Sequence, residues 1–145
     1  RGMKIVLNPS PFDDKLKVCD LTKIYLFMLN EIEGEQFTGY TEPDKILDSL
    51  AEKFPSARFV LTLGSRGSVY FDGKKKTYQE IFRVQAVDTT AAGDTFTGFF
   101  MASLIEGKSI QEALKAASKA SSIAVSRPGA AGSIPSASEV LESLM

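Results

Sequence analysis

The sequence predicts an α/β fold. Short, mostly apolar runs of strand length alternate with longer stretches of helical periodicity, and glycine, proline and small polar residues punctuate the joins. Ile5 to Leu7, Ile24 to Met28 and Phe59 to Leu63 read as buried parallel strands. Such alternation implies a parallel sheet covered by helices, with ligands bound beyond the carboxyl ends of the strands.

The elements follow in order. The chain opens Arg1-Gly2-Met3 and enters the strand pattern Lys4-Ile-Val-Leu7 at once. Arg-Gly resembles the last turn and glycine stop of a preceding helix, so the opening reads as internal to a longer chain. Asn8-Pro9-Ser10-Pro11 closes the first strand, since neither ladder nor helix continues through it. Glu31 to Phe37 reads as a short helix ending at Gly39. Pro43 to Phe54 is a stronger one, with Pro43 in its first turn and Ile46, Leu47, Leu50 and Phe54 on one face. Ser68 to Asp72 and Thr77 to Phe82 flank Gly73-Lys-Lys-Lys76, which predicts an antiparallel hairpin with the lysines in a solvated turn. Ala92 to Glu106 carries Phe96, Phe99, Phe100 and Leu104 at core spacing and stops at Gly107. Ser109 to Ser126 is alanine-rich and capped by Ser109, with Glu112 three residues on. A last helix starts at about Ser136, with Glu139 as its capping-box partner.

At 145 residues, with 43% hydrophobic and 24% charged content, the chain can bury one core of ordinary domain size. It reads as a single domain over residues 1–145, without internal repeat or linker. A net charge of −1 and dispersed lysines leave no broad basic footprint, so no nucleic-acid partner is expected. The one cysteine, Cys19, excludes an internal disulfide, fits a reducing cytoplasm, and reads as a buried or semi-buried thiol. No apolar run approaches the roughly 20 residues of a membrane span, and a cytoplasmic protein is expected.

Residues 88–98, Asp-Thr-Thr-Ala-Ala-Gly-Asp-Thr-Phe-Thr-Gly, are the most informative stretch. A helix opening near Ala92 leaves the amides of Ala92, Gly93 and Asp94 without intrahelical partners, at the positive end of the dipole. A phosphate fits there, and Asp94 places a carboxylate beside it; equally, an acid in a first turn stabilises a helix start. Neither a P-loop string nor a Gly-x-Gly-x2-Gly string occurs. The absence of histidine removes serine-histidine triads and the commonest general base, so carboxylates carry any proton transfer. Asn30 and Glu33 follow a strand and on their own read as N-cap and capping-box partner. Thr62-Leu-Gly-Ser-Arg-Gly67 follows the next strand; its glycines serve either a backbone that wraps a nucleotide or a tight turn. Arg66 in that loop faces either a phosphate or solvent. Arg127-Pro-Gly-Ala-Ala-Gly132 reads as a helix stop.

These motifs in this order (Lys4 to Pro9, Asn30 to Glu33, Thr62 to Gly67, Arg83 to Asp94 and Ile123 to Gly129) resemble the ribokinase-like sugar kinases, the phosphofructokinase B-type carbohydrate kinases. The segment from Phe82 to Thr95 lies nearest the ribokinase branch. The resemblance implies a three-layer α/β/α Rossmann-like sandwich with a mainly parallel sheet. It implies ATP-dependent transfer of the γ-phosphate to a hydroxyl of a small sugar, with ribose the first choice. Family members are about twice this long, so the chain corresponds to the nucleotide-binding and catalytic half, without the sugar-binding half and its lid. The fragment alone is then expected to be inactive, and the full-length enzyme is compatible with a homodimer.

Residue by residue, the resemblance makes Asp94 the base for the attacking hydroxyl, and the amides of Ala91, Ala92 and Gly93 an anion hole. Donors of that kind are each worth about 2.7 to 4 kcal/mol in a transition state. It places Asn30 at the nucleotide phosphates and Glu33 at Mg2+ through water, a mode that suits magnesium's retained hydration. Thr62, Gly64, Ser65 and Gly67 contact ATP. Ser118 falls where many relatives carry a larger polar residue near the adenine. A K+ site is implied at Asp88, Thr90, Ala124, Arg127, Gly129 and Ser133, mostly through backbone carbonyls. The reading from another class is a non-catalytic nucleotide-binding module, or a subunit completed by a partner chain.

Overall fold

The computed structural model describes residues 2–145. Arg1 lies outside them, and with it half of the helix-stop reading of the opening; Gly2 takes φ 74. Two compact units divide between Tyr78 and Gln79. None of the helices among the described residues is long and apolar enough to cross a membrane.

The first unit is built on a sheet of β1 (Ile5–Leu7), β2 (Ile24–Asn30), β3 (Arg58–Thr62), β4 (Ser68–Phe71) and β5 (Lys76–Gln79), in that spatial order. β1, β2 and β3 run parallel, and β4 returns antiparallel to β3. The helices α1 (Glu31–Thr38) and α2 (Pro43–Lys53) pack against β2 and β3. Their side meets Phe27, Leu29, Phe59, Leu61, Val69 and Phe71, which form one core with Phe37, Ile46, Leu47, Leu50 and Phe54. Phe27 stacks on Phe54 at 4.9 Å and on Phe59 at 5.6 Å, while Phe37 meets Phe27 edge-on at 6.2 Å. Each such ring contributes about 1.5–3 kcal/mol by burial, with a further increment from ring geometry. Leu26, Met28 and Val60 alternate to the opposite face and are buried as well, the pattern of strands apolar on both sides.

Helix α1 approaches α2 closely because residue 34 has no side chain: a Cβ on Gly34 would stand 2.8 Å from Cγ2 of the fully buried Ile46. Gly39 ends α1 in the left-handed region at φ 80, as its position after the helical pattern predicts.

Three local expectations need correction. Cys19 is exposed: it follows a 3-10 turn over Asp14–Val18 that the sequence pattern did not signal, and its thiol reaches the Lys15 carbonyl at 3.4 Å. Lys76 is no solvated turn residue, since it opens β5 and its ammonium pairs with Asp44 at 2.8 Å and Asp48 at 3.1 Å on α2. Strand β5 ends at Gln79 rather than Phe82, and residues 80–89 carry neither helix nor strand.

The second unit is helical: α3 (Ala92–Ile105), α4 (Ile110–Val125), a 3-10 turn over Ala131–Ser133, and α5 (Ala137–Leu144). The alanines of α4, among them Ala113, Ala117 and Ala120, are fully buried, and such small side chains let helix axes approach closely. Phe96 and Phe100 on α3 are buried and stacked at 6.3 Å, whereas Phe99 and Leu104 are only partly covered. Ser109 and Glu112 form the complete capping box that their spacing predicts. At α5 only half of one forms: Ser136 accepts from the Glu139 amide, but the Glu139 carboxylate is bound by Arg127 instead of returning to the cap.

Two glycines give opposite expectations. Gly34→Val should lower stability by about 2 kcal/mol, because the new methyls overlap Ile46. Gly98→Ala should raise it by about 0.5–1 kcal/mol, since Gly98 lies within α3 with no atom within 4 Å of the added Cβ. Urea denaturation midpoints check both. Ser68, whose hydroxyl is buried without a partner, should tolerate Ser68→Ala with a change between zero and about 1 kcal/mol of stabilisation by the same measurement.

Candidate functional site

In the first unit the predicted residues gather at the carboxyl ends of β2 and β3. The parallel register places Asn30 opposite Thr62, and the Thr62 hydroxyl donates to the Leu29 carbonyl at 3.4 Å. Asn30 caps α1: its Oδ1 accepts from the Glu33 amide and the Glu33 carboxylate accepts from the Asn30 amide, both at 2.9 Å. Glu33 is buried at 5% exposure, so the carboxylate offers little direct access to a ligand. A contact relayed by water is the mode such a residue fits.

The Thr62 to Gly67 loop is a tight turn. The Leu63 amide donates to the Gly67 carbonyl at 2.8 Å, and a 3-10 turn over Gly64–Arg66 folds between them. Gly64 takes φ 54 and Gly67 takes φ 95 with ψ −139, a combination essentially restricted to glycine. Gly64 and Ser65 are exposed at the loop's tip. Arg66 does neither of the things its sequence position leaves open: its guanidinium pairs with Glu31 in the first turn of α1. The turn after β3 and the first turn of α1 are thereby tied to each other, and no spacing rule connects residues so far apart in the chain.

In the second unit the signature stretch leads into α3, which opens at Ala92 as expected. Three other helices, α1, α4 and α5, carry a capping side chain from Asn30, Ser109 or Ser136 on extended backbone. Helix α3 has Ala91 in that place, at φ −94 and ψ 4, with no side chain bonding to its amides. The Ala92 amide is not free, because the entering turn brings the Thr89 carbonyl to 3.2 Å. The amides of Ala91, Gly93 and Asp94 have no hydrogen-bond acceptor among the described residues. Gly93 and Asp94 are exposed, and the Asp94 carboxylate has no ion-pair partner among them. The Ser121 hydroxyl on α4 holds the Ala92 carbonyl at 3.1 Å, a support that the sequence pattern did not reveal. Ser118, one turn earlier on α4, is buried.

Asp88 organises the approach to α3. Its Oδ1 accepts from the Thr90 hydroxyl at 2.6 Å and the Thr90 amide at 2.9 Å, and its Oδ2 accepts from the Gly129 amide at 3.1 Å. The Thr90 hydroxyl above all, then the amides of Thr90 and Gly129, hold this carboxyl below the usual carboxylate range. The amides of Val87 and Asp88 both donate to the Val125 carbonyl, at 2.7 and 3.2 Å. Asp88, Thr90, Arg127 and Gly129 thus come together, with Ala124 on the last turn of α4, where its carbonyl takes the Arg127 amide at 3.2 Å. Ser133 is buried and its hydroxyl donates to the Ala130 carbonyl at 2.7 Å. No cluster of three or more acidic, cysteine or histidine side chains occurs among the described residues. Carbonyl and carboxylate oxygens are donors of the kind that suit a hard cation.

The pfkB family carbohydrate kinase model matches residues 1–137. A ribokinase of Haemophilus influenzae is 39% identical over 153 residues, covering 99% of this chain and 48% of its own. An Arabidopsis thaliana ribokinase is 36% identical, with 99% and 39% covered. The structure of Arabidopsis thaliana ribokinase complexed with ribose and ATP superposes with a TM-score of 0.85 at 33% identity, over 97% of this chain and 47% of that one. Ribokinase from Thermotoga maritima gives 0.82 at 30% identity, over 99% and 50%. The α/β class read from the sequence is therefore a Rossmann-like fold shared with these kinases. The chain spans about half the length of the curated relatives it matches. With its motifs in order and most of its length matched, the chain belongs to the pfkB family of carbohydrate kinases.

Proposed function

We propose that the protein carrying this chain is an ATP-dependent sugar kinase that phosphorylates a hydroxyl of ribose or a close relative, acting in the cytoplasm. The observation that carries this reading is the start of α3, which has no side-chain cap, with amides at Ala91, Gly93 and Asp94 that have no acceptor among the described residues and an exposed carboxylate at Asp94. The relative solved with ribose and ATP supports the choice of substrates.

In this reading the Asp94 carboxylate takes the proton of the sugar hydroxyl as its oxygen attacks the γ-phosphorus. The bond from that phosphorus to the β,γ-bridging oxygen breaks, and ADP leaves with the electron pair. The amides of Ala91 and Gly93, with Ala92 once it releases Thr89, receive charge spreading over the transferring group. The exposed Gly64, Ser65 and neighbouring backbone of the turn, with Thr62 and Gly67 shaping it, are assigned to the nucleotide, and Ser118 to its base. Mg2+, when bound, neutralises the phosphate oxygens; Glu33 and Asn30, already committed to the cap, fit it only through water. Asp88 and the carbonyls of Thr90, Ala124, Arg127 and Gly129, with Ser133, fit a K+ ion beside the helix start. Bound there, it would add positive charge beside the turn that leads into α3.

Coupled ADP release tests the reading. The protein with both halves should turn over with ribose and run faster in potassium than in sodium, while the 145-residue chain alone should show no sugar-dependent turnover; a robust rate from the chain alone overturns its role as half of a site. Asp94→Asn should lower kcat by about 10²–10⁴-fold with ATP affinity nearly unchanged, as removal of a general base does. An unaltered kcat removes Asp94 from the mechanism.

A further inference from the structure

We infer that Glu139 on α5 is a positioning residue for the start of α3, acting through Arg127 and Asp88. Glu139 lies beyond the stretch that the family model matches. The inference rests on the kinase reading only for its functional consequence.

The argument follows hydrogen bonds within the second unit. The loop from Arg127 to Ser133 is rich in glycine and alanine, and Gly129 takes φ 95, so little in its composition holds it in one conformation. Its side chain–side chain tether is the Arg127 guanidinium, which forks onto both carboxylate oxygens of Glu139, with Nη1 to Oε2 at 3.3 Å and Nη2 on Oε1. A bidentate pair fixes orientation as well as distance. Glu139 is itself held, since its amide donates to the Ser136 hydroxyl at 3.2 Å. From the anchored loop the Gly129 amide reaches Asp88 Oδ2, and Asp88 Oδ1 holds Thr90 by amide and hydroxyl. The Thr89 carbonyl in turn takes the Ala92 amide that opens α3. The incomplete capping box at α5 belongs to the same picture, because the carboxylate that would close it is spent on Arg127. The Glu139 carboxylate is thus turned from the local cap to the loop that carries Gly129.

The consequence is that loosening Glu139 loosens the two loops that hold the Asp88 turn, without touching Asp94 or the nucleotide turn. In the protein with both halves, Glu139→Gln should speed amide hydrogen exchange at Gly129 and Thr90 about fivefold, while amides in the middle of α4 keep wild-type protection. The potassium concentration for half-maximal rate should rise by a similar factor, with kcat at saturating potassium recovered to within about twofold. The exchanged pair Arg127→Glu with Glu139→Arg should restore protection at Gly129. Unchanged exchange at Gly129 and Thr90 overturns the inference, as does a uniform rise across α4, which marks general destabilisation. If the wild-type protein shows no potassium dependence, the cation reading of the loop fails, and the exchange data still decide the positioning role.

Discussion

The candidate site of the first unit hangs from the parallel pairing of β2 with β3. Both strands carry their large aromatic residues on the side of α1 and α2, Phe27 against Phe59, and smaller apolar residues on the other. A slip of β2 by one residue would turn Phe27 away from Phe37, Phe54 and Phe59, losing its ring contacts with all three. Because that register is costly to change, Asn30 necessarily ends β2 beside Thr62 at the end of β3. The turns that follow β2 and β3 are then neighbours as a consequence of core packing, and the pair between Arg66 and Glu31 only trims their relation.

In the second unit the ordering principle is the reverse, since what matters there is a set of groups left unbonded. Helices α1, α4 and α5 spend a side chain on their first amides, a cap worth about 1 kcal/mol each. Helix α3 forgoes it, and Ala91 enters through a turn whose ψ of 4 departs from the extended cap backbone. The exposure of Gly93 and Asp94 limits the cost, because amides at an exposed helix start can be satisfied by solvent. The turn must still be held in place without occupying those amides. Asp88 does so from the flank, by accepting from Thr90 and from Gly129.

Much of the fold was legible because it rests on patterns local in sequence. Apolar runs marked β1, β2 and β3, the faces of α2 were spelled out by Ile46, Leu47 and Leu50, and Gly39 and Gly107 stopped helices where glycine relieves a positive φ. The candidate residues were legible as a family resemblance rather than as physics. Asn30 and Glu33 look the same whether they cap a helix or face a ligand, and here they do form the cap. What stayed hidden was long-range. Nothing in a string of residues announces that Lys76 meets Asp44 and Asp48, that Ser121 holds the Ala92 carbonyl, or that Arg127 outbids the α5 cap for Glu139. The short 3-10 turn at Asp14–Val18, which exposes Cys19, lacks any periodicity that could have flagged it.

A common logic joins the hidden contacts. The candidate groups in this chain are largely backbone: amides at the start of α3 with no acceptor among the described residues, and glycine-rich turn backbone after β3. Backbone groups cannot be tuned by changing the residue that bears them, so their placement falls to side chains elsewhere. Arg66 with Glu31 holds one turn, Asp88 with Gly129 another, and Arg127 with Glu139 the loop that reaches Asp88. Residue identity at positions that offer only backbone, such as Ala91, Ala92 and Ala124, can therefore be loose, while identity at these tethers is constrained by charge and reach. Beside a candidate base such as Asp94, the charged residues that hold these turns are informative too. They are found by tracing what keeps each offered amide or carbonyl from turning away.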